Sequence, residues 1–175
     1  MFVLTSCAGK NLRSYVPSPQ APQYERDFLQ NRIAHQLAAI DMARACTQKA
    51  QRDELKQFCG ALVKTEEAES NQLQAWLGEW YGMSPKAGAP ERMTEGYRNF
   101  MGSVRSATGT EFENAFLSAL RLHHHEGVRE SRECQAQGVH AELRLRCAVL
   151  AEDQEREIRQ MNLWICEWLK DCIER

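Results

Sequence analysis

Apolar positions recur along this chain at alternating spacings of three and four residues. That is the periodicity of helices packed along a shared seam. One seam runs Cys59, Leu62, Glu66, Glu69, Leu73, Trp76, Trp80, and another runs Cys147, Leu150, Gln154, Glu157, Met161, Trp164, Trp168. Two further stripes are Phe28, Arg32, His35, Ala39, Met42, Cys46 and Phe116, Leu120, His123, Gly127, Glu130, Cys134. The spacing predicts helices over residues 23–49, about 53–81, about 110–136 and about 140–172, with turns near Lys49–Arg52 and at Gly138. Residues 23–84 and 91–175 contain no proline, so nothing in them forces a helix to break.

The second pair of stripes is the first pair displaced by 88 residues, the separation of His35 and His123. Cys46 recurs as Cys134, Cys59 as Cys147, Glu69 as Glu157, and Trp76 and Trp80 as Trp164 and Trp168. A gapless offset over a whole unit marks the duplication of one helical hairpin, which must dock on its copy to bury its apolar face. The expected fold is therefore all-α, a four-helix bundle made of two repeated helical hairpins. Repeat one covers 23–82 and repeat two 109–175, with 23–175 folding as one domain. Residues 83–108 connect the repeats and are expected to hold one short helix within 91–104. Residues 1–22, with Pro17, Pro19 and Pro22, read as an N-terminal tail.

Charge and composition narrow the partners. The net charge is −2 and no basic stripe is present, which argues against nucleic acid. No run approaches about 18 consecutive apolar residues, so membrane contact is expected only through a lipid anchor. Leu4-Thr5-Ser6-Cys7 has the form of a bacterial lipobox, with Cys7 the lipidated residue. A signal peptide needs a basic and an apolar region before that motif, so this reading requires a start codon further upstream. The competing reading is a chance match.

The chain has seven cysteines. Setting Cys7 aside leaves an even number, and Cys46/Cys59 and Cys134/Cys147 occupy equivalent places in the two repeats. Disulfides at Cys46–Cys59 and Cys134–Cys147 are expected, and with them export, to the periplasm or as a membrane-anchored lipoprotein. Otherwise these are small core residues of a cytosolic protein. Cys166 and Cys172 point apart on a helix and pair only if its last turn unwinds.

Each seam is polar in the middle. If Cys46 faces Cys59, His35 lies about 16 Å back along its helix and Glu69 about 15 Å on along the next. His35 and Glu69 then share one level, as do His123 and Glu157. Ala39 and Gly127 fall level with Glu66 and Gln154 and leave room beside them. Docking the hairpins about a two-fold axis gathers His35, His123, Glu69, Glu157, Glu66 and Gln154 inside the bundle. Buried carboxylates need partners. One reading is a transition-metal site of imidazole and carboxylate ligands drawn from facing helices. The other is a hydrogen-bonded His–Glu layer that only fixes helix register in a structural or interaction module.

Met42 and Met161 lie on the seams. They read as core, or as donors to a soft ion such as Cu(I). His123-His124-His125 cannot share one face, and His125 and the turn residue His140 are expected at the surface. The four tryptophans read as core. No phosphate loop or nucleophile elbow is present, and Glu66-x-x-Glu69 and Gln154-x-x-Glu157 lack the histidine of a di-iron carboxylate site, so no catalytic residue is assigned.

Gly109-Thr110-Glu111-Phe112-Glu113 through Phe116-Leu117, His123-His124, Gly138, His140 and Glu142-Leu143 resemble the domain of unknown function 305 family. So do Gln154 to Met161 with Trp164 and Trp168, and, in repeat one, His35, Ala39 to Ala43, Glu54-Leu55 and Trp76 to Gly82. The resemblance implies a ferritin-like bundle in exported or lipid-anchored bacterial proteins, some associated with copper. It carries the family's paired histidines onto His123 and His124. Repeat one departs from the pattern at Gln36 and Leu73, and repeat two at Glu130. The expected ligand set is thus shared between repeats: His35, His123, His124, Glu69 and Glu157, with Met42 and Met161.

Overall fold

The computed structural model describes residues 19–86, 102–104 and 106–172. Cys7 lies outside them, as does the short helix expected within 91–104, apart from helical residues 102–104. Among the described residues there is no strand. The long helices are α1 (Ala21–Lys49), α2 (Asp53–Tyr81), α3 (Gly109–Gln137) and α4 (Ala141–Leu169). All are 29 residues long, as duplication of one hairpin requires.

The helix ends follow local chemistry. α1 starts earlier than expected because Pro22 sits in its first turn, where the missing N–H has no partner to lose. Asp53 and Glu54 open α2, and Glu142 opens α4, placing negative charge at positive helix ends. α1 and α3 end on the same bond, Ala50 N–H to Cys46 O and Gly138 N–H to Cys134 O. Gly82 closes α2 with a left-handed φ of 61°, a conformation that favours glycine. α4 stops at Leu169, short of the expected end, and Lys170 turns the chain back with a φ of 60°.

α1 packs on α2 and α3 on α4, and the two hairpins meet through α1 and α3. They dock head to tail, which divides the core. One apolar cluster joins Met42, Cys46, Leu55, Cys59 and Leu62 of hairpin one to Phe112, Phe116, Leu120, Met161 and Ile165 of hairpin two. The other joins Phe28, Leu29, Ile33, Leu73 and Leu77 to Cys134, Leu143 and Cys147. Each cluster therefore combines the turn end of one hairpin with the open end of the other, about a pseudo-two-fold axis.

Contacts repeat across that axis. Cys46–Cys59 and Cys134–Cys147 are disulfides, both with Cα atoms 6.0 Å apart, as expected from the duplicated cysteines. Arg44 pairs with Glu67, and Arg132 with Glu155. Trp76 stacks on Trp80 and Trp164 on Trp168, each pair at 5.0 Å. These tryptophans are only partly buried and pack against the edges of the clusters, which corrects their reading as core.

Candidate functional site

Between the apolar clusters lies a polar layer. Arg32, His35, Gln36, Glu66, Glu69, His123, His124 and Gln154 are all buried there. At its centre the rings of His35 and His123 stack with centroids 3.6 Å apart and planes 17° apart. They are repeat equivalents on the two helices through which the hairpins meet, so the stack marks the pseudo-two-fold axis.

Glu69 and Glu157 each have a partner at this level, whereas Glu66 Oε2 has none among the described residues. Gln36 Nε2 donates to Glu69 Oε2 at 2.5 Å, and His124 Nε2 lies 2.7 Å from Glu157 Oε2. These are one contact made twice, since Gln36 and His124 are repeat equivalents. Level matching from the cysteines was therefore right in height, but the acids meet the residues one position after His35 and His123. Glu69 also takes an ion pair from Arg146 at 2.9 Å, across the hairpin interface. Glu157 is less enclosed, with its side chain 24% exposed.

Arg32 breaks the symmetry. Its equivalent is Leu120, yet its guanidinium is wholly buried and none of its nitrogens has a hydrogen-bond partner among the described residues. Burial pulls its pKa down, while Glu66 and Glu69 hold it up by attraction. Gly127 makes the room. A Cβ there would lie 2.6 Å from Arg32 Nη1 and 2.3 Å from Gln154 Oε1. The expected space beside Gln154 is real, and Arg32 fills part of it.

The histidines are held neutral. Burial, then His123, Arg32 and His124, push His35 well below the usual imidazole range. Burial, then His124 and Arg32, do the same to His123. Burial, reinforced by Glu69, drives Glu66 well above the usual carboxylate range. Burial also raises Glu69, against the pull of Arg146 and Arg32. Nε2 of His35 and Nε2 of His123 have no hydrogen-bond partner among the described residues. Met42 and Met161 lie in one apolar cluster, on the side of the layer away from Glu130 and Leu73, their repeat equivalents. The expected ligands thus fall into the His35–His123 pair, two carboxylates partnered by Gln36 and by His124, itself an expected ligand, and a methionine pair. Among the described residues, no three His, Cys, Asp or Glu side chains form a ready ligand set.

The periodicity passed over three further acids and amides. Glu25 and Glu113 are fully buried repeat equivalents, and each fastens the turn of the opposite hairpin. Glu25 accepts from Val139 N, His140 N and Tyr81 Oη, and His140 Nδ1 meets it at 2.5 Å. Glu113 accepts from Gln51 N, Arg52 N and the Arg52 guanidinium. His140 stacks on Trp80 at 3.8 Å, where Arg52 lies over Trp168 at 4.6 Å. His140 is therefore a pinned clasp residue rather than the solvated turn residue expected, whereas His125 is exposed as expected. The signal for Glu25 and Glu113 was in the sequence, as an acid repeated at the common offset at the fifth residue of α1 and of α3. Gln36 was visible in the same way, as the residue standing where repeat two has His124.

A ferritin-like bundle of two duplicated hairpins around a buried histidine layer is the class this chain defines. It belongs to the family described as Domain of unknown function (DUF305), whose pattern matches residues 25–165. Solved structures share the fold. CopM in the Cu(II)-bound form is 22% identical with a TM-score of 0.73, over 82% of this chain and 97% of that chain. CopM in the Cu(I)-bound form is 23% identical with a TM-score of 0.72, over 82% and 96%. A Streptomyces coelicolor protein described as a secreted DUF305 protein is 18% identical with a TM-score of 0.73, over 87% and 98%. No curated protein sequence matches the chain.

Proposed function

We propose that this is an exported, non-catalytic protein that binds a soft transition-metal ion, copper by class, in the polar layer between its repeats. The observation that carries the reading is the pair of neutral, buried imidazoles whose Nε2 atoms have no hydrogen-bond partner among the described residues. An unpartnered buried donor or acceptor costs about 1–3 kcal/mol, and a metal ion that takes the lone pairs removes that cost. His35 and His123 would hold the ion, with His124 and the thioethers of Met42 and Met161 as further donors. Glu69 and Glu157 would orient the layer through Gln36, Arg146 and His124. The fixed charge of Arg32 beside both histidines favours a monovalent ion over a divalent one. Likeness to CopM structures solved with Cu(I), Cu(II) and silver supports the same class. Three disulfides support an oxidising compartment, and Cys7 would supply a lipid anchor there.

Arg32 also favours a second reading. It already supplies a buried cation to Glu66 and Glu69, so the layer has an internal source of positive charge and would serve only to fix register. Elemental analysis of protein isolated from its native compartment, without chelator or histidine tag, separates the two. The metal reading expects copper or another soft ion near one equivalent per chain. The register reading expects none above background.

A further inference from the structure

One disulfide stands outside the duplicated frame. Cys166 and Cys172 are bonded with Cα atoms 4.2 Å apart, and their repeat equivalents are Gly78 and Ser84. The other four bonded cysteines are fully buried within the apolar clusters. Cys172 is exposed and Cys166 partly so, and neither belongs to a cluster. The bond exists because α4 stops at Leu169 and the left-handed Lys170 swings Cys172 back over the last turn. Only residues 170–172 of the described chain depend on it, so opening it leaves both hairpins and their own disulfides intact.

We propose that Cys166 and Cys172 form a redox-gated surface site, a disulfide in oxidising surroundings and, once reduced by soluble thiols, a dithiolate that binds a soft monovalent ion. Access decides which sulfurs exchange, and of the three disulfides among the described residues this one alone offers an incoming thiolate a path. The thiolate attacks Cys172 Sγ, the S–S bond breaks, and the electron pair leaves on Cys166 Sγ, which takes a proton from water. A second thiolate attacks the external sulfur of the mixed disulfide and releases Cys172 as a thiol. Two small-molecule thiols are oxidised to one disulfide and the protein pair is reduced by two electrons. A soft ion such as Ag(I) then displaces two protons and is held by two sulfurs, the donors such ions prefer. The non-helical residues 170–172 let the sulfurs separate to receive it. This site does not depend on the buried histidine layer.

The test uses the full chain with all disulfides formed. It is incubated with excess reduced glutathione, alkylated and peptide-mapped. New label at Cys166 and Cys172, beyond any that Cys7 takes before reduction, with helical circular dichroism unchanged, is expected. A parallel sample, desalted without oxygen, is titrated with Ag(I) in chloride-free buffer against a competing chelator. It should take about one equivalent more than the oxidised protein. The gain should vanish in Cys166→Ser/Cys172→Ser and persist in His35→Ala/His123→Ala. No label at the pair, label at Cys46, Cys59, Cys134 and Cys147 as well with loss of helix, or equal silver uptake before and after reduction would each overturn the proposal.

Discussion

His35 of α1 and His123 of α3 stack at 3.6 Å, so the two copies of one ancestral position meet ring to ring at the centre of the bundle. Both are buried and kept neutral by burial and by the cations around them. In the unfolded chain they titrate near pH ~6.5. Below that value the unfolded chain binds protons that the folded one refuses, so stability falls as pH falls. Glu66 has the opposite sign, because its raised pKa makes the folded chain hold a proton that the unfolded chain releases above its model value of 4.5. Its contribution weakens as pH rises from there. The two slopes partly cancel in the wild type. Glu66→Gln removes one of them, so its loss of urea midpoint between pH 7.5 and pH 5 should exceed that of the wild type. Equal losses would mean that Glu66 is not buried as described.

Gly127 and Ala39 are repeat equivalents with unequal room. A Cβ at 127 would meet Gln154 Oε1 at 2.3 Å and Arg32 Nη1 at 2.6 Å. Gly127→Ala should destabilise by about 1–3 kcal/mol, the usual range for overpacking. On a helix this change otherwise stabilises by up to about 1 kcal/mol, so the sign itself is diagnostic. Adding Gln154→Ala should recover part of the loss in urea unfolding.

The paired disulfides should behave alike. Each closes a loop of the same length, with a sequence separation of 13, and each should contribute ~3 kcal/mol in the chain-entropy model. Cys46→Ser/Cys59→Ser and Cys134→Ser/Cys147→Ser should lower the unfolding midpoint by similar amounts. Free thiols at all four positions in protein from its native compartment would remove the main support for export.

The Glu25 clasp should weaken in acid. Burial alone would raise the pKa of Glu25, but hydrogen bonds from Tyr81, His140 and two backbone N–H groups outweigh it and leave the pKa lowered. Its stabilisation is present above the model value of 4.5 and is lost as pH falls through the lower folded value. Glu25→Gln should cost about 1.5–3 kcal/mol at pH 7, the range for hydrogen bonds to a charged group, and less at pH 3. Urea midpoints of variant and wild type at the two pH values measure the difference.

Much of the fold was legible in the sequence. A common offset and a three-four seam placed four helices to within about three residues at their ends, and the cysteines set the height of the polar layer. Azimuth was harder to read. Glu69 and Glu157 sit at the expected height, yet their partners are Gln36 and His124, because a one-residue step turns a helix by ~100°. Arg32 was read as one more seam position. Its burial depends on the space opened by Gly127 on the facing helix, which a one-helix pattern does not reveal. Glu25 and Glu113 bind the turns of the opposite hairpins, a contact set by docking rather than by periodicity.

The most direct test is titration of the full chain, with its disulfides intact, with Ag(I) or Cu(I) against a competing chelator. Wild type should bind about one ion per chain. His35→Ala and His123→Ala should each lose most of that affinity, and because burial holds both imidazoles neutral, affinity should persist at about pH 6 and weaken only further into acid. Absence of stoichiometric binding in the wild type, or binding unchanged in both variants, would contradict a shared metal site and leave the layer as a register device.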